Sequence, residues 1–241
     1  MTSFSDRIIE PLLSFLYPDH CASCNKPGSL LCDDCQTQLT YIASPTCQTC
    51  GSPTRSSVAT CAYCHLYTLS HLNSVTSAVY YKGHIITSAI HHFKYKNEHA
   101  LSRELAHLLA KCYQHNQNRP QTNVIVPVPL HKVRHKERGY NQSTLLAKSL
   151  SKFINQPVDT KTLVRNRATE RQVSLNPADR KTNVADAFVT KSDQLAGQVV
   201  LLIDDVLTTG STLNAGAKAL KQGKVSAVHG LTVARAPEAY T

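Results

Sequence analysis

No run of apolar residues in this 241-residue chain approaches the roughly 20 needed to cross a bilayer; the longest, such as Val199 to Ile203, stop far short. No secretory leader is recognisable either, because Asp6, Arg7 and Glu10 precede the short apolar patch from Leu12 to Tyr17, which suits a short amphipathic helix. These two absences predict a cytoplasmic protein without a membrane span. A Walker phosphate loop is also missing, since no G-x-x-x-x-G-K-[ST] occurs, which excludes the P-loop nucleotide hydrolases. The first 71 residues are poor in bases: three Lys/Arg stand against five Asp/Glu, a balance of −2. Residues 72 to 241 hold the other 23 bases and 11 acids, a balance of +12 within a formal total of +10. A polyanion would be drawn to that second part. Hydrophobic content of 41% is ordinary for a globular chain, and the length suits one sizeable domain with a smaller one beside it.

What the front end has is cysteine. Eight of nine cysteines form four C-x-x-C pairs, Cys21/Cys24, Cys32/Cys35, Cys47/Cys50 and Cys61/Cys64. Each pair can make a knuckle whose two thiolates grip a tetrahedral Zn²⁺, and two knuckles complete a Cys₄ site. Spacers of seven residues (25 to 31) and ten (51 to 60) suit two successive ribbons, although pairing of the first knuckle with the third is also open. So few large apolar side chains could hardly fold this segment without metal staples. Three other readings compete. A disulfide framework is disfavoured without a leader, a redox C-x-x-C usually occurs once beside a βαβ unit, and an iron–sulfur cluster also takes four thiolates. His20, His65 and His71 flank the pairs, but with eight thiolates available they read as spectators. Eight thiolates and two Zn²⁺ would move the front end from −2 to about −6 and the chain from +10 to about +6. A ribbon that acidic is better suited to docking on the basic part or on a protein partner than to reading nucleic acid. Cys112 lies apart in a helix expected from His99 to His115 and reads as a buried structural thiol.

The most specific stretch runs from Val199 to Thr212. Five apolar residues suit a parallel strand covered on both faces, and Asp204 and Asp205 follow at its expected carboxyl end, where open α/β sheets bind ligands. Thr208, Thr209, Gly210, Ser211 and Thr212 then offer hydroxyls and a flexible backbone just before a helix expected near Leu213, and a helix amino terminus attracts anions. Carboxylates accept hydrogen bonds from a vicinal diol, whereas hydroxyls and backbone N–H groups donate to phosphate. A core strand ending in a capping loop is the plainer alternative, but it needs neither two acids nor this density of donors.

The stretch resembles the 5-phosphoribosyl 1-diphosphate (PRPP) loop of type I phosphoribosyltransferases. That resemblance implies an α/β fold, a mostly parallel sheet flanked by helices, with the acids on the ribose hydroxyls and residues 206 to 212 (Val206, Leu207 and the Thr208 to Thr212 turn) around the 5-phosphate. Val75 to Tyr81 reads as a strand and Lys82-Gly83 as a turn. Ile85 to Tyr95 and Leu101 to Tyr113 carry helical spacing, and Val124 to Leu130 reads as the first core strand running into a proline-stiffened loop. The same resemblance places the diphosphate at that loop, with Pro129, Leu130, His131 and Lys132 as binding residues and Arg134 nearby. Arg138-Gly139-Tyr140-Asn141-Gln142 follows, opening a helix expected to reach Phe153. Val225 to Val233 closes the domain as another strand, and Arg235 after it reads as structural.

With the knuckles, Phe93-Lys94-Tyr95 and Pro127-Val128-Pro129-Leu130, the Arg-Gly-Tyr-Asn-Gln run resembles the ComF/GntX family of competence-associated proteins over nearly the whole chain. Tyr140 stands where that family usually has Phe and adds a hydroxyl. The resemblance implies a double zinc ribbon, taken here as residues 1–71, followed by a phosphoribosyltransferase-type domain, 72–241. It also implies a role in natural transformation, helping imported single-stranded DNA pass to the recombination machinery or serve as nutrient. DNA-uptake or recombination proteins would be its partners. The cofactors implied are two zinc ions and Mg²⁺ with PRPP.

Two basic stretches bear on the partner. Residues 131 to 181 hold 12 Lys/Arg against 4 acids; Arg165, Arg167, Thr169, Arg171, Gln172, Arg180 and Asn183 fall where type I enzymes carry a loop that closes over the diphosphate. A solvated hairpin is the plainer reading. His91 to Lys96 interleaves aromatics with bases, as single-strand binders do, or is a helix with one face in the core. The DNA-binding candidates are therefore Lys94, Lys96, Arg134, Lys136, Arg138, Arg165, Arg167 and Arg171. If the chain is an enzyme, it would transfer ribose 5-phosphate to a nitrogen acceptor that the sequence does not identify, with Asp204, Asp205 and Arg171 as catalytic candidates. No glutaminase module is expected, because no N-terminal cysteine nucleophile precedes the domain.

Overall fold

The computed structural model describes residues 18–116, 118–166 and 187–237. The expected N-terminal helix lies outside them. Among the described residues, four strands, β1 (Ser74–Tyr80), β2 (Val124–Pro127), β5 (Val199–Leu207) and β6 (Ala227–Arg235), form a parallel sheet in the order β1-β6-β5-β2. Side chains alternate across a strand, so β5 feeds two cores at once. Leu201 and Ile203 join the core containing Ile86, Leu105 and Leu146, whereas Val200 and Leu202 join the one containing Leu213, Ala217 and Leu220. The first core is covered by α2 (His84–Tyr95), α3 (Leu101–His115) and α5 (Gln142–Ile154). The second is covered by α6 (Ser211–Gln222) and an antiparallel pair, β3 (Leu163–Arg165) with β4 (Phe188–Thr190).

The ribbons sit on opposite sides of this sheet. Cys21, Cys32 and Cys35, with the short helix α1 (Asp33–Thr37), pack into the first core; Cys47 and Cys50 pack into the second. Their linker and the first knuckle of the second ribbon cover the exposed edge of β1. Tyr80 N–H donates to Thr40 O at 2.9 Å and Val75 N–H to Thr49 O at 2.9 Å, so the edge offers less to another chain.

Four expectations change. Strand β5 extends through Leu207, because Asp204, Val206 and Leu207 stay in register with Thr232, Ala234 and Arg235 of β6. The helix after it starts at Ser211 rather than near Leu213. The Arg138 to Gln142 run does not open one helix: it ends α4 (Lys132–Arg138) and starts α5. Gly139, at φ 77°, takes the left-handed conformation that stops α4, and the Asn141 side chain accepts from Ser143 N–H to cap α5. Cys112 is half-buried rather than enclosed, at the wall of a hollow of about 270 Å³ between α3 and residues 41–51. Burial still pushes its thiol up to about 12, which favours the protonated form.

Candidate functional site

At the carboxyl end of the sheet, β5 presents the two adjacent acids to different partners. Asp204 Oδ1 accepts from Ser143 Oγ at 3.0 Å and from Asp205 N–H at 2.9 Å, so the cap region of α5 is tied to the strand. Asp205 Oδ2 lies 2.9 Å from Lys94 Nζ, on the last turn of α2. Burial, then the neighbouring Asp205 charge, push Asp204 up to about 7. Burial opposes the charge on Lys94, but Asp205 and Asp204 outweigh it and hold that ammonium above its usual value.

The turn that follows is shaped for an oxyanion. Gly210, at φ 77°, lets the chain reverse into α6, and Thr209 Oγ1 meets Ser211 Oγ at 2.9 Å. The first N–H groups of α6 have no helical acceptor of their own. Behind the turn stands the chain just after the second ribbon. Thr68 N–H donates to Thr209 O at 2.9 Å, His71 N–H donates to Asn214 Oδ1 at 2.7 Å, and a Cβ on Gly210 would come within 2.6 Å of Leu69 Cδ2.

The acids and the turn open into a cleft of about 380 Å³. Its lining comprises Tyr81, Lys94, Val128, Pro129, Leu130, Arg134, Arg138, Asn141, Gln142, Ser143, Arg165, Asp204, Asp205, Val206, Thr208 and Thr212. Four cationic side chains thus face two carboxylates, one of which is held near neutral titration, which suits a ligand carrying several negative charges. Burial, then Arg134, hold the Arg165 guanidinium below its usual value, a sign of how closely these cations are gathered. Leu207, Gly210 and Ser211 line a small hollow under the turn together with Asp204.

Pro129 and Leu130, expected at a diphosphate loop, line this cleft, but His131 and Lys132 are not among the lining residues. His131 instead caps α4, its Nδ1 accepting from Val133 N–H at 3.3 Å. Lys94, Arg134, Arg138 and Arg165, read as DNA contacts, face the cleft, whereas Lys96 and Lys136 are exposed outside it. Arg167 and Arg171 lie outside the described residues. The sequence reading missed Tyr81, Asn141, Gln142 and Ser143. A helix-stopping Gly139 followed by a capping Asn141 is the signal that could have found the last three. Gln142 is 2% exposed, and its Nε2 has no partner among the described residues, so a donor stands ready in the cleft wall.

The cysteines settle their own pairing. Cys21, Cys24, Cys32 and Cys35 form one group and Cys47, Cys50, Cys61 and Cys64 another, each with sulfurs within 4.8 Å of one another. The Cys21–Cys35 and Cys24–Cys32 sulfurs are 3.7 and 3.6 Å apart, and the Cys47–Cys64 and Cys50–Cys61 sulfurs 3.5 Å each. A tetrahedral ion with Zn–S bonds of about 2.3 Å requires sulfur separations of about 3.8 Å. Both groups fit zinc, in sequential rather than interleaved order.

This geometry defines a phosphoribosyltransferase-type α/β domain joined to paired Cys₄ ribbons. Residues 93–241 match the family described as phosphoribosyl transferase domain, and residues 12–65 the double zinc ribbon domain. The chain belongs to the family of the competence F proteins. It is 32% identical over 211 residues to competence protein F of Haemophilus influenzae, covering 86% of this chain and 90% of that one. It is 29% identical over 219 residues to competence protein ComFC of Bacillus subtilis, with 87% and 86% covered. Against the DNA utilization protein YhgH of Escherichia coli K12 the identity is 31% over 218 residues, with 88% and 94% covered. Among the described residues no helix is long and apolar enough to cross a membrane.

Proposed function

We propose that this protein binds PRPP in the cleft between Asp204 and Thr212 and serves in handling imported single-stranded DNA during natural transformation. The observation that carries the ligand is the convergence of paired acids, a hydroxyl-rich turn at a helix amino terminus and four cations on one cleft. The Thr208 to Thr212 turn would take the 5-phosphate, Asp204 and Asp205 the ribose hydroxyls, and Arg134, Arg138 and Arg165 the diphosphate. Mg²⁺ would arrive on the diphosphate oxygens, since the two acids already hold Ser143 and Lys94. Calorimetry with PRPP and Mg²⁺ tests the assignment: saturable binding is expected, lost in the Asp204→Asn, Asp205→Asn double variant. No heat above that of the double variant would end it.

The role in DNA handling rests on the names of the relatives and on charge. Tyr95, 57% exposed, carries the Arg138 guanidinium 4.8 Å above its ring and accepts its hydrogen bond at 3.1 Å, so a cation and an aromatic sit together beside the cleft. Such pairs suit stacked bases. Fluorescence anisotropy with a single-stranded oligonucleotide should show binding that weakens steeply with salt. A second reading is catalytic: the bond from ribose C1 to diphosphate would break as one from C1 to a nitrogen acceptor forms. The gathering of Arg134 and Arg165 near a leaving diphosphate favours it. Release of diphosphate from PRPP, screened over nucleobases and amines, decides it.

A further inference from the structure

The ion pair between Lys94 and Asp205 occupies a carboxylate that a ribose would need. On the PRPP reading above, we infer that Lys94 is a specificity-determining residue: a counter-ion that must pass from Asp205 to a second anionic group on the ligand. The cleft would then favour a ribose phosphate charged at both ends over one carrying the 5-phosphate alone.

Asp205 Oδ2 and Lys94 Nζ are 2.9 Å apart, with only 13% and 20% of their side chains exposed. A diol hydroxyl can take Asp205 fully only if the ammonium moves. A half-buried ammonium without an anion is costly, because its lost water is not replaced. Its surroundings make that cost larger, since Arg134, Arg138 and Arg165 line the same cleft and Arg138 already opposes the charge on Lys94. Asp204 also attracts the ammonium, but its Oδ1 is engaged by Ser143 Oγ and Asp205 N–H, and the direct ion pair is with Asp205. A ligand bearing only a 5-phosphate fills the turn and leaves Lys94 either on Asp205 or stranded. A ligand that also carries a diphosphate at C1 offers the displaced ammonium a new partner. The flexible four-carbon stem of Lys94 gives it the freedom to make that move.

Titration calorimetry compares PRPP with ribose 5-phosphate, both with Mg²⁺, on the zinc-loaded full chain. Wild type should prefer PRPP, and Lys94→Met should reduce the ratio of the two affinities by about tenfold or more, the size expected for one charge-assisted contact. Lys94→Arg should keep most of the preference. An unchanged ratio in folded Lys94→Met overturns the inference. A second measurement needs no variant: saturating inorganic diphosphate should tighten binding of ribose 5-phosphate to wild type, by drawing Lys94 off Asp205. Independent or competing binding of the two also overturns it. If wild type binds neither PRPP nor ribose 5-phosphate, the ligand reading itself fails and this inference falls with it; if PRPP binds but the ratio and the synergy are absent, only the role of Lys94 is lost.

Discussion

The two ribbons use the same four-thiolate chemistry, yet the fold treats them differently. The first, around Cys21 to Cys35, rests against the helical face, where Ser88 Oγ on α2 donates to Ala22 O. The second, around Cys47 to Cys64, is bound to β1 and to the end of β6, and the chain just after it stands behind the Thr208 to Thr212 turn. Its main fastening is Arg235 at the end of β6, 0% exposed, which donates to Cys50 O at 2.9 Å, to Ser52 Oγ at 2.8 Å and to Tyr67 OH. Gly51 packs so closely on β1 that a Cβ there would meet Val75 O at 2.5 Å. A four-cysteine module can therefore cap a helical core in one place and back a candidate ligand turn in another.

Stripping the ribbons one at a time should break the comparison most sharply. Cys47→Ser with Cys50→Ser, and Cys21→Ser with Cys24→Ser, should each lower bound zinc from about two to about one per chain, and each should destabilise by several kcal/mol. Only the first pair of changes should also abolish thermal stabilisation by PRPP, because only that ribbon supports Thr209 and Gly210. Equal loss of PRPP response in both would show that the ribbons act as one body. Next in size is Arg235→Met, which removes the donor to the Cys50 carbonyl and to the Ser52 and Tyr67 hydroxyls. Denaturant unfolding should show a loss of about 2–4 kcal/mol.

Gly210→Ala sharpens the comparison from the other side. The added methyl meets Leu69 at 2.6 Å and must adopt φ 77°, so about 1–3 kcal/mol of stability should be lost. PRPP affinity should fall with it, because the turn has to move away from the ribbon. A Gly210→Ala variant with unchanged affinity would show that the segment around Leu69 is only a neighbour of the turn.

The cysteine pairs and the β5–α6 turn were legible because each is local: four knuckles at fixed spacing, and an apolar run ending in acids and hydroxyls. What could not be read is where distant segments meet. Arg235 reads as a strand-end cation with a structural role, but its partners lie 168 to 185 residues away in the chain. Lys94 follows Phe93 in the mixed run His91 to Lys96, which reads more readily as a helix with one face in the core than as a nucleic-acid contact. Only the packing of α2 against the sheet turns its ammonium onto Asp205. Helix α4 was missed for another reason. Lys132 to Arg138 contains no buried residue and so carries no apolar period; its ends are set by the His131 cap and Gly139. The sequence therefore located the β5–α6 turn and set Arg134 and Arg165 near it, but not Lys94 or Arg138, whose approach depends on distant packing.

The smallest effect concerns the acid on the cleft side of this wall, and its sign follows from burial. Asp204 has an ordinary value near 3.8 in the unfolded chain and about 7 in the fold, where loss of water and then the Asp205 charge disfavour its ionised form. The folded state thus binds a proton that the unfolded state releases. The stabilisation this brings is fully present below about pH 4, and it is lost as pH rises through about 7. Asp204→Asn removes the titration and retains an acceptor for Ser143 Oγ. In unliganded protein its melting temperature should exceed that of wild type by a few degrees at pH 8, with a smaller difference at pH 5. Changes confined to the second ribbon's cysteines should not reproduce that pH dependence. A constant difference between the two pH values would mean that Asp204 titrates as an ordinary carboxyl, and that Lys94 neutralises both acids rather than Asp205 alone.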